Sequence, residues 1–436
     1  MKAYIKTFGC QMNENDSERM MYLIEKEGYS RTYNIEDSDL IMLNTCAVRE
    51  KAKNRLYGHI GNLKNLKYKK NDVLICIGGC ISQSIREKIL KDFPFVDIVF
   101  GTHNIAELPQ LIKKRLKTDK SICSVHEEGF DPGIFKVKRE KIFKAYVPIS
   151  IGCDNYCSYC IVPFVRGREK SIEEVKIIEN VKDLVIKGVI EIMLLGQNVN
   201  SYGNDLNGKY SFSGLLEKIS DIKGLKRIRF MTSHPKDFSL DIIDMIKSRD
   251  NLVKHIHLPL QSGSDKILKK MNRSYTRKYY FNIISNIRRK IPHCAITTDI
   301  IVGFPGEERS DFMKTLDMIK SIRYNRAFTF IYSPREGTKA FKMNDCIQLD
   351  DKKKWFRELI DIQQKISFDE NKKIVGKKFE VLVEGNSKKG LNMLEGRIEN
   401  NTVVNFKGGK NLIGKIVPVI ITGARSFYVT GDLLKE

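Results

Sequence analysis

Gly152-Cys153-Asp154-Asn155-Tyr156-Cys157-Ser158-Tyr159-Cys160 places three cysteines in the spacing C-x3-C-x2-C, directly after the apolar run Val147–Ile151. Cysteine supplies only 10 of 436 residues, so this spacing arises by chance in about one of 200 such chains. Ordinary core cysteines explain it poorly. Zinc is the stronger rival, but zinc sites pair C-x2-C with a second pair or with histidines, and no such pair follows. Three close thiolates suit a cubane iron–sulfur cluster, with the fourth iron left open to a substrate or cofactor.

Working outward, residues 145–335 alternate strands and helices. Strands are predicted at Val147–Ile151, Ile190–Leu195, Arg227–Met231, His255–Leu260, Thr297–Val302 and Phe328–Tyr332. Helical patterns at Ile172–Lys187, Phe212–Ile222, Leu240–Lys247, Tyr275–Lys290 and Asp311–Ile322 fill the gaps. Six βα units predict an α/β barrel or partial barrel, whose reactive end lies at the C-terminal ends of its strands. The cysteine loop follows the first of them.

Residues 1–117 show the same alternation, with strands at Ala3–Phe8, Leu40–Asn44, Val73–Ile77 and Val96–Phe100. Helices are predicted at Ser17–Glu27, Arg49–Leu66, Ser84–Lys91 and Ile105–Leu116, which gives a parallel α/β sheet. Cys10, Cys46 and Cys80 each lie just past a strand, and strand ends in a parallel sheet share one edge. Gly9 and Gly78-Gly79 beside them allow close backbone approach. Two explanations stand: three core cysteines, or a second three-cysteine cluster. Cys76, Cys123, Cys294 and Cys346 have no partner pattern.

Residues 118–144 are polar, with Asp131-Pro132-Gly133 and a basic run, and read as a linker. Asp350–Lys373 reads as one long charged helix. Short strands at Phe379–Val383, Gly396–Ile398, Val403–Phe406, Ile416–Ile421 and Ser426–Val429, split by Gly and Asn turns, predict a small all-β barrel.

Lys plus Arg is 76 against 53 for Asp plus Glu, a net charge of +23. Part of that is background lysine, but attraction to a polyanion is the leading explanation. With 42% apolar residues the chain has material for real cores. No apolar run approaches the ~18 residues of a membrane helix, and the N-terminus has no signal-peptide pattern. Cysteines in such a chain belong in a reducing compartment, as metal ligands or reactive thiols. His255 and His257 share a strand face and read as hydrogen-bonded strand histidines. Gly303-Phe304-Pro305-Gly306 lacks the Gly-Lys-Ser/Thr of a phosphate loop.

The chain resembles the radical S-adenosylmethionine (SAM) methylthiotransferases, whose superfamily signature is C-x3-C-x2-C. The segments that look most like the tRNA branch of that family, which modifies N6-isopentenyladenosine beside the anticodon, run the length of the chain. They include Phe8-Gly9-Cys10-Gln11-Met12-Asn13, Asn44-Thr45-Cys46-Ala47-Val48-Arg49, Pro163-Phe164-Val165-Arg166-Gly167-Arg168-Glu169, Leu195-Gly196-Gln197-Asn198-Val199-Asn200, Thr232-Ser233-His234-Pro235, His257-Leu258-Pro259-Leu260-Gln261-Ser262-Gly263-Ser264, Ile300–Gly306, Tyr332–Arg335 and Val403–Phe406. One departure is Ile172 after Ser171, where the family usually has arginine.

The resemblance implies a methylthiotransferase domain over 1–118, a linker over 119–144, a radical SAM (βα)6 partial barrel over 145–372 and a TRAM barrel over 373–436. It implies two 4Fe-4S clusters, one on Cys153, Cys157 and Cys160 that binds SAM, and one on Cys10, Cys46 and Cys80 that carries the sulfur to be transferred. A 5′-deoxyadenosyl radical would remove hydrogen from C2 of the adenine, a position acid–base groups cannot activate. The N-terminal domain should therefore cap the barrel mouth. Tyr159, Gln197, Asn198, Ser233 and Gln261 would contact SAM, or else serve as caps and turns. Arg166 and Arg168, together with Lys388 and Lys389 of the small barrel, would hold RNA phosphates. The implied partners are tRNA, an electron donor such as flavodoxin or ferredoxin and a sulfur donor, in the cytoplasm without a membrane.

Two alternatives follow from the same residues. Relatives in the family act on threonylcarbamoyl-adenosine in tRNA or on a ribosomal protein. A different class is a non-catalytic iron–sulfur or zinc RNA-binding protein.

Overall fold

In the computed structural model, residues 1–47, 50–127, 136–390 and 392–434 are described, without the side chains of residues 50–54. Val48, Arg49 and Asp131-Pro132-Gly133 lie outside them. Leu40–Thr45 and Leu74–Gly79 are buried along their whole length, as strands of a parallel sheet covered on both faces must be. They sit at the centre of a six-stranded parallel sheet whose other members are Lys2–Thr7, Ser30–Arg31, Ile98–Phe100 and Ile122–Ser124. Met20, Met21 and Ile24 of helix Gln11–Glu25 pack on one face with Leu108 and Ile112. Leu56, Ile60 and Leu63 of helix Glu50–Lys69 cover the other.

Three details depart from expectation. Ile122–Ser124, inside the stretch read as a linker, is the sheet's sixth strand; three residues are too few to show a period of two. The first helix begins at Gln11, immediately after Cys10, because its polar opening turn hides the apolar stripe. The helix expected over Ser84–Lys91 is two short helices, Cys80–Ile85 and Lys88–Asp92, broken where Arg86 takes a left-handed φ of 48°.

The middle of the chain folds into two three-stranded parallel sheets. Lys144–Pro148, Glu191–Leu195 and Arg227–Phe230 form one; His255–His257, Ala295–Val302 and Arg326–Ile331 form the other. A single bridge from Ile228 to Leu252 and one continuous apolar core join them into a partial barrel. Helices Glu174–Ile186, Phe212–Ser220, Leu240–Ser248, Arg277–Lys290 and Arg309–Ile322 wrap the outside. Ile172, in the position where arginine was expected, is 2% exposed and belongs to this core.

Helix Leu349–Lys372 lays Leu359 and Ile366 on the barrel core and leads into a closed five-stranded β-barrel. The last strand is Val429–Leu433, so Ser426 and Phe427, read as strand, belong to the turn before it. This small barrel sits at the N-terminal ends of the large barrel's strands. Lys144 pairs with Glu384 at 2.7 Å, Arg229 donates to the carbonyls of Ile398 and Glu399, and Arg227 donates to those of Glu380 and Arg397. Glu191 accepts from Arg229 at 2.9 Å inside the same buried network. Among the described residues no helix is long and apolar enough to cross a membrane.

Candidate functional site

Register fixes the first group of cysteines. Thr7 pairs with Asn44, Asn44 with Gly78 and Thr45 with Gly79, so Cys46 and Cys80 each follow a paired residue at one sheet edge. Cys10 opens the helix beside them and lies within Coulombic reach of Cys80. A polar brace holds the edge. Asn13 donates to Thr45 O at 3.1 Å and Asn44 donates to Asn13 O at 2.8 Å, while the Cys10 thiol donates to Asn13 Oδ1 at 3.3 Å. Gly79 has φ +93°, and a Cβ there would stand 2.5 Å from Thr45 O. No larger residue passes at that point.

The second group lies on the barrel's loop. Its first strand stops at Pro148, and Ser150–Ile151 then pairs antiparallel with Lys170–Ser171, so the cysteine loop closes back on itself. Gly152, at φ +82°, lies so close to Arg168 that an added Cβ would meet the Arg168 carbonyl oxygen at 2.0 Å. The far side of the loop is pinned where Ser158 N donates to Met271 O at 2.9 Å and Asn272 donates to Tyr156 O at 3.0 Å. Cys153, Cys157 and Cys160 lie within mutual Coulombic reach, and burial pushes the Cys153 thiol up. Arg273, buried and unforeseen in the sequence, donates to Cys157 Sγ at 3.4 Å.

The two groups meet. Helix Val162–Arg166 leaves the barrel directly after Cys160 and enters the N-terminal domain, where Ile161 and Val165 pack with Cys80 and Ala47. Met12, two residues past Cys10, packs with Met193 and Leu195 near the C-terminal end of a barrel strand, with Tyr146 and Met231 beside them. The N-terminal domain therefore does cap the barrel mouth.

Each other expected residue has a definite place. Arg166 does not face solvent: it is 5% exposed and its Nη2 donates to Asp16 Oδ2 at 2.6 Å. Arg168 is exposed and grips both carboxylate oxygens of Asp154, at 2.8 and 3.0 Å. Tyr159 lies edge-on to Phe304 under the mouth. Gln197 accepts from Gly152 N. Lys388 and Lys389 are exposed on the small barrel, the latter over the Tyr428 ring at 5.1 Å. Phe406 lies in that barrel's core, whereas Phe427 is 54% exposed. His255 and His257 both reach Thr297 Oγ1 at 3.0 Å, as hydrogen-bonded strand histidines do.

Buried polar atoms test whether this mouth suits a polar cofactor. Ser150 Oγ, Asn198 Oδ1, Ser233 Oγ and Gln261 Oε1 are buried just past strand ends and find no hydrogen-bond partner among the described residues. Such orphans are costly unless a ligand satisfies them. Tyr156, Thr232 and Gln261 take positive φ angles of 44°, 68° and 66° around the same mouth, the kind of strain that collects at binding sites. Beside the loop opens a cavity of about 290 Å³, lined by Asp154, Arg168, Glu169, Asn198 and Lys236 among others. Burial pushes the Glu169 carboxyl up to about 7.

Among the described residues no three Cys, His, Asp or Glu side chains close on a point as ligands of a single ion would. A cubane spreads its thiolates over separate irons, so two looser three-cysteine groups fit it.

Sequence reasoning singled out the cysteines but not the residues that touch them. Asn13 and Asn44 lie in motifs it singled out, yet no spacing announced their brace. Nothing local to Met271-Asn272-Arg273 signals that Arg273 reaches a cysteine more than a hundred residues away.

Three family descriptions match the chain in series: Uncharacterized protein family UPF0004 over residues 2–101, the Radical SAM superfamily over 147–319 and the TRAM domain over 372–434. A Natranaerobius thermophilus protein named tRNA-2-methylthio-N(6)-dimethylallyladenosine synthase is 47% identical over 440 residues, spanning 100% of this chain and 97% of its own. A Clostridium botulinum protein of the same name is 48% identical over 434 residues, spanning 98% and 96%. Among solved structures, the radical S-adenosylmethionine methyltransferase TsrM of Kitasatospora setae, with cobalamin and a [4Fe-4S] cluster bound, superposes with a TM-score of 0.58. It covers 78% of this chain and 77% of its own at 12% identity, a likeness of fold alone.

Proposed function

Because the chain belongs to the tRNA-2-methylthio-N(6)-dimethylallyladenosine synthase family of radical SAM enzymes, we propose that its two cysteine groups hold two 4Fe-4S clusters that together methylthiolate C2 of N6-isopentenyladenosine beside the anticodon of tRNA. The observation that carries this reading is the meeting of the groups at one mouth, with Ile161, the residue after Cys160, packed with Cys80. Cys153, Cys157 and Cys160 hold the cluster that takes SAM; Cys10, Cys46 and Cys80 hold the one that bears the sulfur. When bound, these groups supply homolytic chemistry at an unactivated C–H bond, together with the sulfur and the methyl group.

The chain's own part is to bind, orient and keep dry. Ser150, Asn198, Ser233 and Gln261 offer the mouth's unsatisfied polar atoms to SAM. Arg273 places a positive charge against Cys157. Met12, Met193, Leu195 and Met231 pack into an apolar seam between the two domains that keeps water out of the mouth. The Asn13–Asn44 brace fixes Cys10 and Cys46 relative to one another. Arg168 and the small barrel's Lys388 and Lys389 contact the RNA backbone. An electron donor such as flavodoxin or ferredoxin and a sulfur donor complete the partners, in the cytoplasm.

The test is anaerobic reaction of the reconstituted protein with an N6-isopentenylated anticodon stem-loop, SAM and a reductant. The expected product is the 2-methylthio nucleoside, formed with cleavage of SAM. SAM cleavage without any methylthio product on this RNA would contradict the substrate.

A further inference from the structure

Arg166 is buried and so is not free to hold RNA phosphates. It ends the short helix Val162–Arg166, which begins two residues after Cys160, the last cysteine of the loop, and crosses into the N-terminal domain. The crossing is anchored at three points. Ile161 and Val165 pack with Cys80. Thr102 Oγ1 donates to Val165 O at 2.6 Å. The Arg166 guanidinium donates to Asp16 of the first N-terminal helix at 2.6 Å, and both partners are buried. From there it acts electrostatically on Cys80 and Cys10 together.

A buried ion pair contributes little to stability by itself, because removing two charges from water offsets most of their attraction. Its position gives it another use. Three thiolates on a cubane leave a net negative site, and reduction makes it more negative. A fixed guanidinium in a low-dielectric interior favours the reduced state, and net charge is one of the quantities that set a cluster's potential. A planar fork held by Asp16 also loses little rotamer freedom when it supplies that charge.

We propose that Arg166 is a positioning residue for the N-terminal cluster: it reaches from the barrel's cysteine loop, locks on Asp16 and supplies the buried positive charge against Cys10 and Cys80. The loop that holds one cluster thereby sets the seat and the reduction potential of the other. This inference rests on the two-cluster reading.

The experiment uses the full chain with Cys153, Cys157 and Cys160 all changed to Ala, so that only the N-terminal group can hold iron. Iron and acid-labile sulfide per chain, and the midpoint potential from an EPR-monitored titration, are compared in this parent and in Arg166→Gln, Arg166→Lys and Asp16→Asn. Arg166→Gln is expected to move the potential in the negative direction, and Arg166→Lys to recover at least half of that shift. Asp16→Asn removes the opposing anion and is expected to move it in the positive direction. If Arg166→Gln fails to load, the Lys and Asn variants still decide the sign. Iron at the parent's level with an unmoved potential in all three variants, or shifts of the same sign in Gln and Asn, would overturn the inference alone. A parent that takes up no iron would overturn the two-cluster reading beneath it.

Discussion

Arg273 Nη1 donates to Cys157 Sγ across 3.4 Å while its Nη2 donates to Pro259 O at 3.1 Å and its Nε to Tyr275 Oη at 3.0 Å. One buried cation thus ties the cysteine loop to the opposite wall of the barrel. Arg273→Met removes donors from two buried acceptors and from the partly buried Cys157 thiol, and is expected to cost ~2–4 kcal/mol of stability. Denaturant unfolding measures this. SAM cleavage should fall at least tenfold, and Arg273→Lys, which keeps the charge, should recover part of it. Equal loss in Met and Lys would assign the residue to packing alone.

Gly79 is the point where strand Leu74–Gly79 passes Thr45. Gly79→Ala combines a left-handed φ with backbone overlap and is expected to cost ~3 kcal/mol or more locally. Cys80 follows directly, so the variant should lose the N-terminal cluster. Iron per chain would drop from about eight to about four while the barrel still cleaves SAM. Full iron content in Gly79→Ala would contradict the geometry of this edge.

Burial raises the Glu384 carboxyl, but Lys144 and Arg397 outweigh it and hold the group at about 2 against an ordinary 4.5. A depressed folded-state pKa contributes stability that is present above the unfolded value and lost as pH falls through the folded one. The joint between the two barrels should therefore lose ~3 kcal/mol between about pH 4.5 and pH 2. Unfolding measured across that window should show the loss, and Glu384→Gln should flatten it.

The fold was legible because its elements repeat strong patterns. Leu40–Leu43 and Val73–Ile77 are unbroken apolar runs, and the cysteine loop stands at a strand end that barrel logic marks as reactive. Short elements were not legible, since Ile122–Ser124 and the break at Arg86 carry no period. At the site, the cysteines announced themselves by spacing and strand-end position. Arg166 shows the limit: its motif marked it as basic and near the cluster, but only Asp16, 150 residues away in sequence, turns it inward. Long-range pairings of this kind leave no local trace.

Lys388 and Lys389 lie on a barrel docked at the base of the large one, opposite the cysteine mouth. If they neutralise phosphates there, changing both to Ala should lower the slope of log affinity for tRNA against log salt by about 1–2. Filter binding across a salt series measures it. An unchanged slope would place the RNA contact elsewhere on the surface.

The central claim is that this chain methylthiolates isopentenylated tRNA with both cysteine groups. It is tested most directly by mass spectrometry of tRNA nucleosides from a host that lacks its own tRNA methylthiotransferases and expresses this chain. A 2-methylthio-N6-isopentenyladenosine peak is expected, absent in Cys153→Ala and equally absent in Cys10→Ala. Soluble protein with both clusters loaded and no methylthio nucleoside, or a peak that survives Cys10→Ala, would contradict it.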